Sequence, residues 1–558
     1  MLDGTLTPEL PPGSNVKGHV AGASWTFLLL DLDLLRTVCL GQPSAATLAT
    51  VTRLSREVVL AGAPARRRGI QGNAPGRGAR PHGVRTVRLG HDGTIPLPDR
   101  SVDLVLAADP SWASRLERDT RLQAEVDRVL HRHGRLYLPL RSLPAPGDES
   151  DDLLWQELAN GEPRAIAPLG DLQAATFLTA AAGPAWQPRR LTGRACRALG
   201  LDGPRTASIT TTAALRGSDG DLRRPPRYLV EAAAAAGVAI DGHRWALLSA
   251  GEYRTKKVLV FLFPPGDAAP EYVVKLTRHP DFNARLENEY RALSELERRG
   301  LAARSVPRAA FHGTQAGIAF VGETAVSGIP LRERTTARPD CPDALAALDW
   351  LVELGISSAD RTAHATDAAA ALGTLLDRFV TTYRPDARHQ AFLAEQIAAL
   401  GRHPEPFPVV FTHGDAGTWN VLIDKAGRPL FLDWEAADPQ GPPLWDVLYF
   451  FRSHAITVAR RAGIRDRLRA FERGFLEASE LNRLLCAAVE RYCAKVVLAR
   501  CMVEPLFYTC WMHRSLKEAK TLSERTLHRG RYVRLLIRCI DQQKAPGLVS
   551  LFSRTGCN

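Results

Sequence analysis

Phe411-Thr412-His413-Gly414-Asp415-Ala416-Gly417-Thr418-Trp419-Asn420, followed by Phe431-Leu432-Asp433-Trp434-Glu435, is the stretch that decides how this chain is read. It sets an Asp, an Asn five residues on, and a second Asp thirteen residues later. That is the layout of a phosphoryl-transfer site: Asp415 to orient and deprotonate a hydroxyl, Asn420 and Asp433 to hold Mg²⁺ on a nucleotide. Val421 to Asp424 reads as a strand, Lys425 to Arg428 as a turn and Pro429 to Leu432 as the return strand. Such a hairpin brings Asn420 and Asp433 together at its open end. Alone, HGD or DWE is a weak signal, because short acidic motifs also cap turns. The full constellation at this spacing is the stronger observation.

Working upstream, the same chemistry needs a strand lysine to grip phosphates and a helix glutamate to hold it. The chain has only nine lysines. Lys275 lies in the β-branched run Glu271 to Thr277. After it, apolar residues at 286, 290, 293 and 296 have helical spacing and put Glu289 forward as the partner, with Glu287 its nearest rival. The strands Trp245–Ser249 and Lys257–Phe263 flank Ala250 to Lys256, the expected phosphate loop, whose one glycine is Gly251. Ile318 to Ala325 reads as a strand running into a hinge, where Glu323 and Ala325 would offer backbone groups to an adenine.

In this order of parts, residues from about 240 to 450 resemble the aminoglycoside phosphotransferase and choline kinase-like family of small-molecule kinases. The resemblance implies an α+β bilobal kinase-like fold with a large helical C-lobe. It also implies Asp415 as base, Asn420 and Asp433 as Mg²⁺ ligands, Lys275 with Glu289 as the nucleotide-gripping pair, and ATP or GTP as donor. The acceptor is then a hydroxyl on a small polar molecule. His413 and Asp446 are expected to hold the loop by hydrogen bonds. The single-glycine phosphate loop departs from the Gly-rich loop of protein kinases.

Beyond residue 340, Asp367–Thr382, His389–Leu400, Arg465–Leu476, Asn482–Arg500 and the tail to Gln543 read as helices. Their aromatics, Tyr449 to Phe451 and Phe507 to Trp511, are expected as core. From 455 to 545 Arg outnumbers acid, which leans toward a neutral or anionic acceptor.

The first 223 residues alternate strands and helices, as a parallel α/β sheet does: strand Thr37–Gly41, helix Ala45–Leu54, strands Glu57–Ala61 and Val102–Leu106, helix Arg121–Leu130, strand Gly134–Leu138. Leu97 to Val105 and Glu125 to Leu136 resemble the later motifs of class I S-adenosylmethionine-dependent methyltransferases. The resemblance implies a Rossmann-like fold over about residues 30 to 145. The turn Gly41-Gln42-Pro43-Ser44-Ala45 lacks the glycines that admit a cofactor, and Ala61 to Arg66 lacks the acid that grips a ribose. A degenerate domain is expected, with no S-adenosylmethionine bound. Asp31-Leu32-Asp33 resembles the haloacid dehalogenase-type Asp-x-Asp, but Leu34-Leu35 does not continue that motif. Residues 62–83 read as an Arg-rich loop, and residues 144–235 carry further loop signals.

At 558 residues the chain exceeds one domain. The expected division is 1–223, methyltransferase-like with its linker; 224–330, kinase-like N-lobe; 331–558, helical C-lobe. A net charge of +12 suits anionic ligands. No nucleic-acid motif, signal peptide or membrane-length apolar run is present, so a cytoplasmic protein without nucleic-acid or membrane partners is expected; protein partners cannot be read from the residues. Nine cysteines without a Cys-x-x-Cys pair read as reduced thiols. Two alternatives stand beside the kinase: an active methyltransferase whose kinase-like half binds substrate, and a non-catalytic nucleotide-binding scaffold.

Overall fold

The computed structural model describes residues 24–29, 31–62, 83–90, 93–107, 110–139, 154–159, 162–168, 171, 173–174, 177–178, 213–217, 224–249, 257–301, 304–404, 406–520 and 522–553. The phosphate-loop residues 250–256, Gly251 among them, and most of the Arg-rich stretch 62–83 lie outside the described residues. Two compact units result, one drawn from residues 15–286 and 309–325, the other from 287–308 and 326–558.

The first unit holds β1 (Leu34–Leu40), β2 (Ser55–Ala61), β3 (Gly83–Val87), β4 (Val102–Ala107), β5 (Leu130–Pro139), β6 (Leu154–Ala159), β7 (Glu162–Pro168), β8 (Ala213–Gly217), β9 (Arg244–Leu248), β10 (Val258–Phe263), β11 (Tyr272–Leu276), β12 (Ala309–Gln315) and β13 (Ile318–Thr324). One sheet runs β3-β2-β1-β4-β5-β8, parallel through β5 and antiparallel at β8. Helix Ala45–Leu54 joins β1 to β2, its first turn capped by Ser44 Oγ accepting the Thr47 N–H at 3.1 Å. The strand order reverses between β1 and β4, the topological switch point at which open α/β sheets bind ligands. β1, β2 and β4 bury both faces, which is why they read as apolar runs rather than alternating ones.

The second sheet, β12-β13-β11-β10-β9-β7-β6, is antiparallel throughout. Its strands β9, β10, β11 and β13 match expectation, whereas β12 was not read in the sequence. The hairpin β6–β7 and strand β8 depart from expectation: they fall in a segment read as loops. β6 and β7 are held by pairing to each other and to β9, and their own sequence has little period-2 alternation to announce them. The two sheets share one core. Val58 and Leu106 of the first cluster with Trp245, Val260, Val274 and Phe311 of the second.

The second unit is mainly helical. Its helices are Pro342–Ser358, Ala365–Tyr383, Ala387–Gly401, Trp445–Arg461, Arg467–Phe475, Glu480–Val496, Val503–Ala519, Arg531–Asp541 and Pro546–Phe552, with a four-residue turn at Leu331–Arg334. Short strands β14 (Ile329–Pro330), β15 (Val410–Thr412), β16 (Val421–Ile423), β17 (Pro429–Phe431) and β18 (Asp438–Gly441) carry the loops between them. The helix expected over Asn482–Arg500 stops at Val496, because Val497 turns left-handed at φ 59°. Phe471, Phe475, Phe507 and Trp511 pack ring on ring as core, with centroids 4.4–5.9 Å apart. Among the described residues no helix is long and apolar enough to cross a membrane, and seven cysteines are free thiols.

Candidate active site

The loop after β15 is built by hydrogen bonds to buried side chains. Asp446, at the start of helix Trp445–Arg461, accepts the His413 and Gly414 N–H groups. The His413 ring accepts the Asp415 N–H at Nδ1 (3.2 Å) and meets the Leu432 carbonyl at Nε2 (2.8 Å). One nitrogen must accept and the other donate, so the ring is the neutral Nε2–H tautomer. Burial, partly offset by Asp446 and Asp415, holds its pKa below the ordinary 6.5. Gly414 is required: at φ +71° a Cβ would lie 1.9 Å from the Ala436 carbonyl oxygen.

Asp415 projects from this loop with its side chain 29 % exposed. Asn420 Nδ2 donates to the Asp415 backbone carbonyl (3.0 Å) and to Oδ2 (3.2 Å). A group held between two acceptor oxygens must be the amide nitrogen, so Asn420 turns its Oδ1 away from Asp415. β16 pairs with β17 as expected, and the Leu432 N–H donates to the Asn420 carbonyl at 2.8 Å. The hairpin therefore sets Asp433 beside Asn420 along the chain, with Asp433 in the left-handed region at φ 62°. Asp is one of the few non-glycine residues that adopt αL readily, and non-glycine residues in that region gather at functional sites. The Trp434 N–H donates to Glu289 Oε1 at 3.0 Å, and Asn288 Nδ2 donates to the carbonyls of Glu435 and Ala437. Glu289 is thus buried and fastened to the Asp-Trp-Glu segment, while Glu287 is exposed.

In the other unit, Lys275 pairs across the sheet with Leu259 and Val321. Its Nζ lies 3.0 Å from Glu323 Oε1, and both side chains are buried. Glu323 therefore enters as a carboxylate facing the lysine, a role its position at the end of an apolar strand did not announce. Ala325 donates its N–H to the Glu271 carbonyl at 2.7 Å, so that N–H is not the donor which the hinge reading offers to an adenine.

Two cations beside Asp415 went unread in the sequence. Arg514 Nη1 lies 3.1 Å from Asp415 Oδ1, and Lys517 Nζ lies 3.8 Å from the same oxygen. Lys517 also donates to the Gly414 carbonyl at 3.2 Å. Both stand on helix Val503–Ala519, with Arg514 packed on the Tyr449 ring at 3.3 Å. Burial pushes the Asp415 carboxyl up, but Lys517 and Arg514 outweigh it and hold the pKa at about 2. The signal for Arg514 and Lys517 lay in their i,i+3 spacing on a helix read chiefly for its core aromatics. A cavity of about 640 Å³ elsewhere in this unit, lined by Arg388, Glu472, Arg538 and Lys544 among others, includes none of the nominated residues.

Residues 259–481 match the family described as the Phosphotransferase enzyme family. No curated protein matches the chain. Among solved structures it is similar to the aminoglycoside phosphotransferase APH(3'')-Id from Streptomyces rimosus ATCC10970, at 17 % identity over 50 % of this chain and 93 % of that one, with a TM-score of 0.32. It is also similar to the bifunctional kinase-methyltransferase WbdD, at 12 % identity over 91 % of this chain and 88 % of that one, with a TM-score of 0.27. Likeness at this level carries no substrate assignment.

Proposed function

We propose that the chain transfers the γ-phosphoryl group of ATP or GTP to a hydroxyl of a small polar molecule. The observation that carries this reading is the Asp415–Asn420 pair, joined side chain to side chain at the open end of the hairpin that leads to Asp433. In the reaction the acceptor oxygen bonds to the γ-phosphorus as the bond from the β,γ-bridging oxygen to that phosphorus breaks. The nucleoside diphosphate leaves, and the hydroxyl proton passes to an Asp415 oxygen. A carboxylate held near pKa 2 is a weak base. Asp415 therefore acts first by orienting the hydroxyl and takes the proton late, as a loose phosphoryl-transfer transition state allows.

Magnesium fits the donors present: Asn420 Oδ1, turned away from Asp415, and the Asp433 carboxylate are hard oxygen ligands. When bound with the nucleotide, the ion neutralises charge on its phosphates. Lys275, fixed by Glu323, is assigned to the phosphates. Glu289 is assigned to holding the Asp433-Trp434 segment in place as well as to its expected part beside the lysine. The domain reading stays at 1–223, 224–330 and 331–558. The N-terminal domain is assigned a methyltransferase-like fold without cofactor; its strand order supports the fold assignment, and its turn after β1 supports the loss.

Thermal unfolding of the purified protein with Mg²⁺-ATP, Mg²⁺-GTP or S-adenosylmethionine, each alone, tests this. A ligand at about 100 times its Kd stabilises by about 2.7 kcal/mol. A nucleotide shift that weakens in Asp433→Ala is expected. A shift with S-adenosylmethionine alone would move the chemistry to the N-terminal domain.

A further inference from the structure

Four helices of the second unit bring six cations around two neighbouring tyrosines, whose ring centroids lie 6.2 Å apart. Helix Trp445–Arg461 supplies Tyr449, Arg452 and Arg460; the first turn of Arg467–Phe475 supplies Arg467; Val503–Ala519 supplies Arg514 and Lys517; Arg531–Asp541 supplies Arg531 and Tyr532. Arg514, Tyr449, Tyr532, Arg452 and Arg531 form a connected chain, with Arg467 and Arg460 beside it. Arg514 lies 3.1 Å from Asp415 and packs on the Tyr449 ring. Tyr449 and Tyr532 share a hydroxyl contact of 3.2 Å. Arg452 Nη1 reaches the Tyr532 hydroxyl at 3.3 Å, and the guanidinium carbons of Arg452 and Arg531 lie 4.5 and 5.7 Å from the Tyr532 ring centroid.

Among the described residues two carboxylates face these cations: Asp415 on Arg514 and Lys517, and Glu518 on Arg531 at 2.6 Å. The side chain of Asp466, next to Arg467, caps the Leu468 N–H. Positive charge is therefore in excess. Burial and the neighbouring Arg460, Arg531 and Arg452 together depress the pKa of Arg467. Arg452 is buried at 3 % exposure, and its Nε has no hydrogen-bond partner among the described residues. A buried guanidinium N–H without an acceptor costs free energy that a bound anion would recover. Guanidinium forks match the oxygens of a phosphate group, and an excess of several charges suits a dianion better than a single carboxylate.

We propose that Arg452, Arg467, Arg514 and Arg531 form a phosphate-binding subsite for the acceptor, which is therefore an alcohol that already bears a phosphate group. The inference rests on the phosphotransferase reading and narrows it. A phosphate seated here is tied through Tyr449 and Arg514 to Asp415, so the same arginine that fixes the base also senses the acceptor's anion. Arg460 and Lys517 add attraction from the rim.

The test titrates inorganic phosphate into the full chain with Mg²⁺-ADP present at saturation, so that phosphate is measured apart from the nucleotide. Arg467→Ala removes an exposed side chain, and Arg483→Ala, on helix Glu480–Val496, serves as the matched control. Phosphate Kd is expected to rise roughly tenfold or more in Arg467→Ala and to stay unchanged in Arg483→Ala. In a transfer assay from ATP, glycerol 3-phosphate and glucose 6-phosphate are expected to accept where glycerol and glucose do not. Equal phosphate affinity in Arg467→Ala and wild type would overturn the subsite, as would equal transfer to the neutral alcohols. The two readings fail separately. Mg²⁺-ATP binding and Asp415-dependent transfer without phosphate binding would sink the subsite alone. Arg467-dependent phosphate binding without any nucleotide binding would sink the phosphotransferase reading, and with it the subsite's role toward an acceptor.

Discussion

Arg514→Met should couple strongly to Asp415→Asn. The Arg514 guanidinium is 5 % exposed and lies 3.1 Å from Asp415 Oδ1. Two unit charges at that distance attract by about 5 kcal/mol at an effective dielectric constant of about 20, before desolvation is subtracted. Charge-assisted hydrogen bonds retain a net of about 1.5–3 kcal/mol. The depression of the Asp415 pKa from 3.8 to about 2 leads to the same scale, roughly 2 kcal/mol at neutral pH. Each single variant leaves one charge without its partner, whereas the double variant leaves neither. The coupling energy from urea unfolding of wild type, both singles and the double at pH 7 should therefore be about 2 kcal/mol. Because the folded pKa is depressed, this stabilisation is present in full above the unfolded carboxylate's value near pH 4 and is lost as pH falls toward 2. A coupling below about 0.5 kcal/mol, the ordinary scatter of additivity, would refute the claim that Arg514 shares with Lys517 in holding Asp415 ionised.

Asp433→Asn keeps a side chain that tolerates the left-handed region. It should leave the urea midpoint unchanged while weakening Mg²⁺-ATP binding by at least the roughly tenfold that losing a ligand's supporting partner costs. Gly414→Ala should destabilise by about 3 kcal/mol or more, read from the same urea midpoint, because its Cβ would meet the Ala436 carbonyl at 1.9 Å in a left-handed backbone. His413 is buried with its folded pKa below 6.5, so it contributes stability above the unfolded value that is lost as pH falls. His413→Gln should flatten, without abolishing, the fall in stability as pH drops below about 6.5, since His454 and His513 are also held below 6.5 by burial.

Much of the fold was legible because its elements obey local rules. Helix Ala45–Leu54 carries its own N-cap, and its bounds agree with the sequence reading. The hairpin Val421–Phe431 is announced by Lys425-Ala426-Gly427-Arg428, with Gly427 at φ +78° in the turn. The hairpin β6–β7 was not legible because nothing local defines it; β9 supplies the edge it extends. Glu323 was read only for its backbone because it ends an apolar strand. Its carboxylate matters through a lysine 48 residues away in sequence but adjacent across the sheet, since Val321 pairs with Lys275 two residues earlier on the strand.

Arg514 shows why the electrostatic half of a site is harder to read than its motif. The Asp415, Asn420 and Asp433 spacing is set by one loop and one hairpin, so it survives as a pattern in the chain. Arg514, which with Lys517 holds Asp415 ionised, comes from a helix about a hundred residues later. It is surrounded there by Trp511, Met512 and His513, which mark a buried helix face. A buried arginine on such a face needs an anion, and Asp415 is only one of the two that six cations find nearby among the described residues. On the proposed reading the motif orients a hydroxyl for phosphorylation, and the excess of guanidinium charge indicates what else the molecule bearing that hydroxyl carries. Specificity on this account rests on residues that no loop motif contains, because the charge balance of the site closes only when the acceptor is present.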